Sequence, residues 1–403
     1  MSNFPCEILD RIVDFLHDSR TPLRSCCIVS KSWVARTRMH LFAEVVFQTA
    51  KSLKSWKRTF PDPSTSPARY TKALFIGGPQ VVTSVDVGVG SWIRGFSRVV
   101  HLGMVGQYPP ADGWEAAFVQ VRGFLPSVKS LRVNHVGFLP SHLSGLILSF
   151  PLLEDISVID CYQVWVNEGT SLNGLSTTIQ PSTLPLFTGS LELLLRGFGH
   201  IVLGWLSIPG GIHFRKLTLE WFGEEDISST MALVEECSHT LESLDITCTT
   251  SCGMSIWHLC LHRSNLLLFL DDPKLASFDF NLSKAKKLRD VVFQPKSLTV
   301  EWISLALQAV TSEHRDLRRI SVDVPYHLAH LHIDEDPRRA LGEGVLEEWL
   351  NLDRILVHLR ESFSIRTDVI WTRGRSEGDL GDYVGCLFPE MTRRGMVTVN
   401  LVE

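Results

Sequence analysis

The chain has no apolar run long enough to span a bilayer. Its most hydrophobic stretch, residues 191–206, is broken by Arg196 and His200 and falls short of the about 20 apolar residues that a membrane helix needs. Charge of one sign is also scarce: a net charge of −5 over 403 residues leaves no basic stripe for a phosphate backbone, so nucleic acid is not expected as a partner. The nine cysteines are an odd number scattered singly along the chain, which is no disulfide framework. Glu7, Asp10 and Asp14 interrupt any apolar leader, so a reducing compartment, cytoplasmic and/or nuclear, is expected.

Motifs for chemistry are missing too. Gly88 and Gly90 lack the third glycine of a dinucleotide fingerprint, and no phosphate-binding loop occurs. In the run Gly169 to Asn173, asparagine stands where a nucleophile elbow around Ser171 needs a glycine. Cys248, Cys252 and Cys260 with His258 and His262 imitate a zinc site, but Trp257, Leu259 and Leu261 between them suit a buried element better than paired knuckles. His327, His330 and His332 ahead of Asp334, Glu335 and Asp336 have a spacing that no helix gathers on one face. Asn281 and Ser283 form a glycosylation acceptor only in the formal sense. No enzyme activity, cofactor or metal is expected.

What is present is a globular composition, 44% hydrophobic and 21% charged, fronted by a distinctive 47-residue opening. Pro5 suits a first helical position and Glu7 the first turn, where a carboxylate favours the positive helix end. Ile8, Leu9, Ile12, Val13 and Leu16 follow at helical spacing. Thr21 and Pro22 read as a cap and start for a second helix carrying Leu23, Cys26, Cys27 and Val29. Ser30 is placed to cap a third, with Trp33, Val34 and Thr37 inward and Lys31, Arg36 and Arg38 outward. Three short helices bury too little to stand alone, since a lone core of this size supplies only about 3–5 kcal/mol.

These residues resemble the F-box, the helical motif that docks a protein onto the Skp adaptor of a cullin-RING ubiquitin ligase. Pro5-Cys6-Glu7-Ile8-Leu9 is similar to the family's opening, Ile12 and Leu16 to its next apolar anchors, and Cys26-x-x-Val29-Ser30-Lys31-x-Trp33 to its second signature. Leu41, Phe42 and Val45 resemble its exit, and Phe4 stands where the family commonly has leucine. The resemblance implies that Phe4, Pro5, Ile8, Leu9, Ile12, Leu16, Leu23, Cys26, Val29, Ser30 and Trp33 form the adaptor-binding set. It implies no catalytic residue, because helix-in-groove docking needs only apolar anchors.

Residues 48–69 contain Pro61, Pro63 and Pro67 and read as a connection, with room for a short helix at residues 53–57. From residue 70 an apolar-x-x-apolar-x-apolar pattern recurs: Val128/Leu131/Val133, Leu153/Ile156/Val158, Phe214/Leu217/Leu219, Leu241/Leu244/Ile246, Leu275/Phe278/Phe280, Leu288/Val291/Phe293 and Leu317/Ile320/Val322. Looser copies lie at residues 71–76, 96–102 and 190–195. Such recurrence marks a repeat architecture. Each copy reads as a turn and a strand of a parallel sheet, with helices expected at residues 114–121, 142–149, 231–237, 301–310 and 342–361. Ser228 and Ser229 are placed to cap the third of these, residues 365–371 read as a further strand, and the end as a short helix closed by Gly395 and a last strand.

The pattern resembles leucine-rich repeats, with irregular spacing, and the whole looks like the F-box families of mushroom-forming fungi. The fold class expected is α/β: an F-box over residues 1–47, a linker over 48–69 and an irregular leucine-rich-repeat-like solenoid with a parallel sheet over 70–403. The implied function is a substrate-receptor subunit that binds the Skp adaptor, and through it cullin, and presents an unidentified target protein. The alternative is a scaffold outside any ligase. Lys129, Arg132, Glu154, Arg215, Glu220, Glu242 and Asp245 would line the target-facing side of the strands.

Overall fold

A computed structural model describes residues 5–62, 65–78, 81, 93–106, 121, 125–138, 140–163, 187–195, 202, 212–221, 224–248, 282–295, 300–324, 343–371, 385–397 and 399–401. It is mixed α/β, and its contacts divide the chain into two units, Met1–Phe187 and Thr188–Glu403.

The first unit opens with helices α1 (Cys6–Phe15), α2 (Arg20–Val29) and α3 (Lys31–Leu41). The α1 helix begins one residue after the expected position, with Pro5 just ahead of it. The α2 helix begins at Arg20, so Thr21 and Pro22 lie inside its first turn instead of capping it. Proline costs nothing there, because the first-turn N–H groups have no intrahelical acceptor. Ser30 caps α3 as its sequence suggests, its Oγ accepting from the Ser32 N–H at 3.3 Å.

Strands β1 (Glu44–Phe47), β2 (Ala73–Ile76), β3 (His101–Val105), β4 (Ser130–Asn134), β5 (Gly137–Phe138) and β6 (Asp155–Gln163) follow. All pair in parallel, in the order β1-β2-β3-β4-β6 with β5 beside β6. Parallel neighbours need a crossover, and the connection from β1 to β2 includes a helix that spans the one expected at residues 53–57. The helix α4 (Ala50–Thr59) carries a Thr49/Ser52 capping box, and Trp56 stands edge-on to both Phe42 and Phe47. Register stacks two apolar rungs: Val45–Leu74–Leu102–Leu131–Ile156 and Phe47–Ile76–Met104–Val133–Val158. Every member is buried, each contributing about 1.5–3 kcal/mol by burial.

The second unit repeats this arrangement with β7 (Ser190–Leu195), β8 (Lys216–Trp221), β9 (Ser243–Cys248), β10 (Asp290–Pro295), β11 (Arg319–Val324), β12 (Arg366–Trp371) and β13 (Val399–Leu401). They pair in parallel in chain order. The rungs are Leu191–Leu217–Leu244–Val291–Ile320–Thr367 and Leu193–Leu219–Ile246–Phe293–Val322–Val369. Thr367 interrupts the first with a buried hydroxyl that has no hydrogen-bond partner.

The two polar residues of the described copies lead into the strand, the second being its first residue, and share a carbonyl of the preceding copy. The carbonyl of Arg215 accepts from the N–H groups of Glu242 and Ser243 at 2.8 and 3.0 Å, and that of Arg289 from Arg318 and Arg319 at 2.8 and 3.1 Å. The copy at Leu275/Phe278/Phe280 and, but for Val121, the helix expected at residues 114–121 lie outside the described residues.

Helices flank the strands at Pro140–Ile147, Glu224–Cys237, Glu301–Gln308, Glu343–Phe363 and Pro389–Arg393. The second starts before its expected N-terminus, so Ser228 and Ser229 lie within it. Gly395, at φ 62°, follows the last helix in the left-handed conformation that glycine adopts without strain. No helix among the described residues is long and apolar enough to cross a membrane.

Gly106 is fixed by close approach. A Cβ on Gly106 would come within 1.8 Å of the His135 carbonyl oxygen, a backbone atom that cannot rotate away. Gly106→Ala is expected to destabilise the first unit by about 1–3 kcal/mol, the usual cost of overpacking, as read from the urea unfolding midpoint.

Candidate functional site

The α1 helix carries two apolar stripes. Leu9, Val13 and Leu16 recur at i, i+4 and i+7, as do Ile8, Ile12 and Phe15. The first turns inward: Val13 is fully buried and Leu9 and Leu16 are half-buried. The second faces out, with Ile8 46%, Ile12 45% and Phe15 87% exposed. The α2 helix divides the same way, Leu23 and Cys26 buried against Ile28 at 87% and Val29 at 69% exposure. Trp33 and Ser30 are half-buried, Pro5 is exposed, and Phe4 lies outside the described residues. The sequence-derived set is thus partly internal (Leu23, Cys26) and partly an accessible ledge (Pro5, Ile8, Ile12, Val29).

Two of the most exposed apolar side chains, Phe15 and Ile28, are absent from that set. The signal for Phe15 was in the spacing, since it extends the Ile8/Ile12 stripe by one turn.

An ion cluster holds α1 to α3. Arg36 donates from Nε and Nη2 to the two Asp14 carboxylate oxygens at 2.6 and 2.5 Å, and His40 Nε2 lies 2.8 Å from Asp14 Oδ1. The Arg36 hydrogen bond, and then that of His40, hold the Asp14 carboxyl well below the usual carboxylate range. The bidentate pair adds geometric definition as well as attraction. Thr37, fully buried, sits one residue beyond Arg36 on the same helix.

Of the expected target-facing residues, Lys129 and Glu154 pair with each other at 2.7 Å, and Glu242 pairs with Arg289 at 3.0 Å. Arg132 and Arg215 are exposed. Asp245 accepts from Gln294 Nε2 at 3.1 Å. Burial pushes its carboxyl up; Lys216 and Gln294 oppose the rise, and Asp323 and Glu192 add to it.

A raised folded-state value means that Asp245 supports the fold below the unfolded carboxyl's pKa of about 3.9 and that this support is lost as pH rises through the folded value. Asp245→Asn removes the titration. Its melting temperature is expected to equal wild type near pH 4 and to exceed it increasingly towards pH 7, as thermal melts across that range will check.

The remaining sequence clusters do not assemble a chemical site among the described residues. Cys248 is buried on β9, while Cys252, His258, Cys260 and His262 lie outside the described residues, as do His327, His330, His332 and Ser171. No group of three or more potential metal ligands occurs among the described residues. The thiols of Cys161 and Cys237 are pushed up to about 12 by burial, so neither is a nucleophile at neutral pH.

Fold and site together define a mixed α/β protein with parallel sheets and an exposed apolar ledge on its opening helices. No protein-family model matches the chain, and no curated protein does.

Proposed function

We propose that the chain is an F-box substrate receptor of a Skp/cullin ubiquitin ligase, with its strands forming an irregular leucine-rich-repeat-like solenoid that presents a target protein. The observation that carries this reading is the outward stripe of Ile8, Ile12 and Phe15 on α1, together with the exposed Ile28 and Val29 at the end of α2. Singly exposed apolar residues are ordinary on a protein surface, whereas a run of them at helical spacing along one helix suits a docking face. It suits helix-in-groove recognition. The Asp14–Arg36–His40 cluster supports the reading by fixing α1 on α3, so the ledge is held in shape before a partner arrives.

The repeats support the second half of the proposal: the same apolar positions stack strand after strand, while their outward neighbours vary freely. Such a receptor performs no chemistry and needs no cofactor; it raises the local concentration of target lysines near a ubiquitin-loaded enzyme. It acts in the cytoplasm or nucleus, where that machinery resides. Co-purification of the tagged full chain from cells is expected to bring down both adaptor and cullin. Recovery of neither would refute the ligase assignment.

A further inference from the structure

We propose that the open face of the first unit's sheet binds an extended target segment carrying an apolar side chain followed by a carboxylate, with Val46 and Phe75 as its floor and Arg132 as its anion contact. This rests on the receptor reading above and names the chemistry of the target that it would present.

Strand alternation places one set of side chains in the core and the other towards solvent, and the solvent set is ordinarily polar. The second unit largely conforms: its outward rows are Glu192–Thr218–Asp245–Val292–Ser321–Asp368, with Val292 the one apolar member, and Glu220–Thr247–Gln294 in register. The first unit does not. Its outward rows are Val46–Phe75–Gly103–Arg132–Ser157 and Val105–Asn134–Ile159. Val46 is 42% exposed. The Phe75 ring lies across the neighbouring strand above Gly103, where a Cβ would come within 2.2 Å of it, so the glycine is what lets the ring spread into a flat floor. Folding does not require apolar residues on this side, and a contiguous apolar surface rimmed by polar groups is the ordinary form of a binding site.

Arg132 gives the face its polarity. It is the one cation in these two rows, it is exposed, and it makes no ion pair among the described residues, whereas Lys129 just before β4 is committed to Glu154. Beside it in the adjacent row, Asn134 Oδ1 is buried without a hydrogen-bond partner. Leaving such an acceptor unmet costs about 1–3 kcal/mol. An apolar floor and an exposed guanidinium complement a peptide with an apolar residue and a carboxylate. Phe75 on β2 and Arg132 on β4 are two strand spacings apart, about 10 Å, which an extended chain covers in about three residues.

The test uses the full chain and a pool of short fluorescein-labelled Gly/Ser peptides with Phe or Leu three residues ahead of Glu. Matched pools replace Glu by Lys, or the apolar residue by Ser. Fluorescence anisotropy is expected to show the Phe/Leu–Glu pool binding at least about tenfold more tightly than either control, each 1.4 kcal/mol being a factor of ten. Arg132→Glu should reverse the Glu/Lys preference, and Val46→Lys should weaken the Phe/Leu–Glu pool. Both positions are exposed, so both variants should keep the wild-type melting temperature. Binding no tighter than the Gly/Ser background, or a Glu preference that survives Arg132→Glu, would overturn the proposal. Adaptor capture scored on the same preparations tests the receptor reading separately: its loss with the peptide preference intact removes the ligase and leaves the face.

Discussion

The double variant Phe15→Lys/Ile28→Lys is expected to bind the Skp adaptor about 100-fold or more weakly, two anchors being worth about 1.5–3 kcal/mol each when buried, while melting at the wild-type temperature. Both side chains are 87% exposed in the free chain, and surface substitutions of this kind ordinarily fall within about 0.5 kcal/mol. Both also lie near helix C-termini that carry no basic residue in the last turn, where a cation is favoured by the helix dipole. The variant therefore separates docking from folding in a way that Leu23→Ala or Cys26→Ala would not, since those side chains are internal. Titration calorimetry with purified adaptor reads the first quantity and a thermal melt the second. Undiminished binding would show that the ledge is not the contact.

Asp353→Asn is expected to destabilise the second unit by about 1–3 kcal/mol, because it leaves one of two N–H groups without an acceptor and sets an NH2 against it. Asp353 is 1% exposed and accepts from the Glu390 N–H through Oδ2 at 2.7 Å and from the Met391 N–H through Oδ1 at 3.1 Å. It thereby caps the Pro389–Arg393 helix from the side of the long Glu343–Phe363 helix. Burial raises its carboxyl, and the two backbone N–H groups draw it back.

Asparagine is nearly isosteric but offers one acceptor atom, and its NH2 would face an N–H. The amide should therefore cost about as much as alanine. If Asp353→Asn proved neutral in urea unfolding while Asp353→Ala did not, the two-acceptor account would fail. The same long helix reaches the other way, Glu348 accepting from the Val300 and Glu301 N–H groups at 2.8 and 3.2 Å. It fastens two shorter helices by their N-termini.

The strands were legible because a parallel sheet buries the same two positions of every copy. The apolar triplets at Val128, Leu153, Phe214, Leu241, Leu288 and Leu317 each deliver two successive rungs. Helix presence was legible for the same reason, and the Trp349/Leu352/Leu356/Leu359 stripe is buried where its spacing put it. Helix starts were less so: Pro22 and Ser228 are boundary residues by preference, yet both sit inside helices that begin earlier.

Asp353 and Glu348 were not legible at all. On the sequence they are ordinary charged positions of an amphipathic helix, and only tertiary packing brings them to another helix's N-terminus. At the candidate site, spacing identified the anchors but not their direction. Leu9 and Ile8 belong to stripes one residue apart, and which stripe meets the core is decided by how α3 packs on α1 through Asp14, Arg36 and His40.

Hydrogen–deuterium exchange of the full chain with and without recombinant Skp adaptor measures most directly whether the opening helices are a docking element. Slowed exchange confined to Cys6–Phe15 and Arg20–Val29, with the second unit unchanged, is the expected result. Exchange unaltered in those two helices at saturating adaptor would contradict the account.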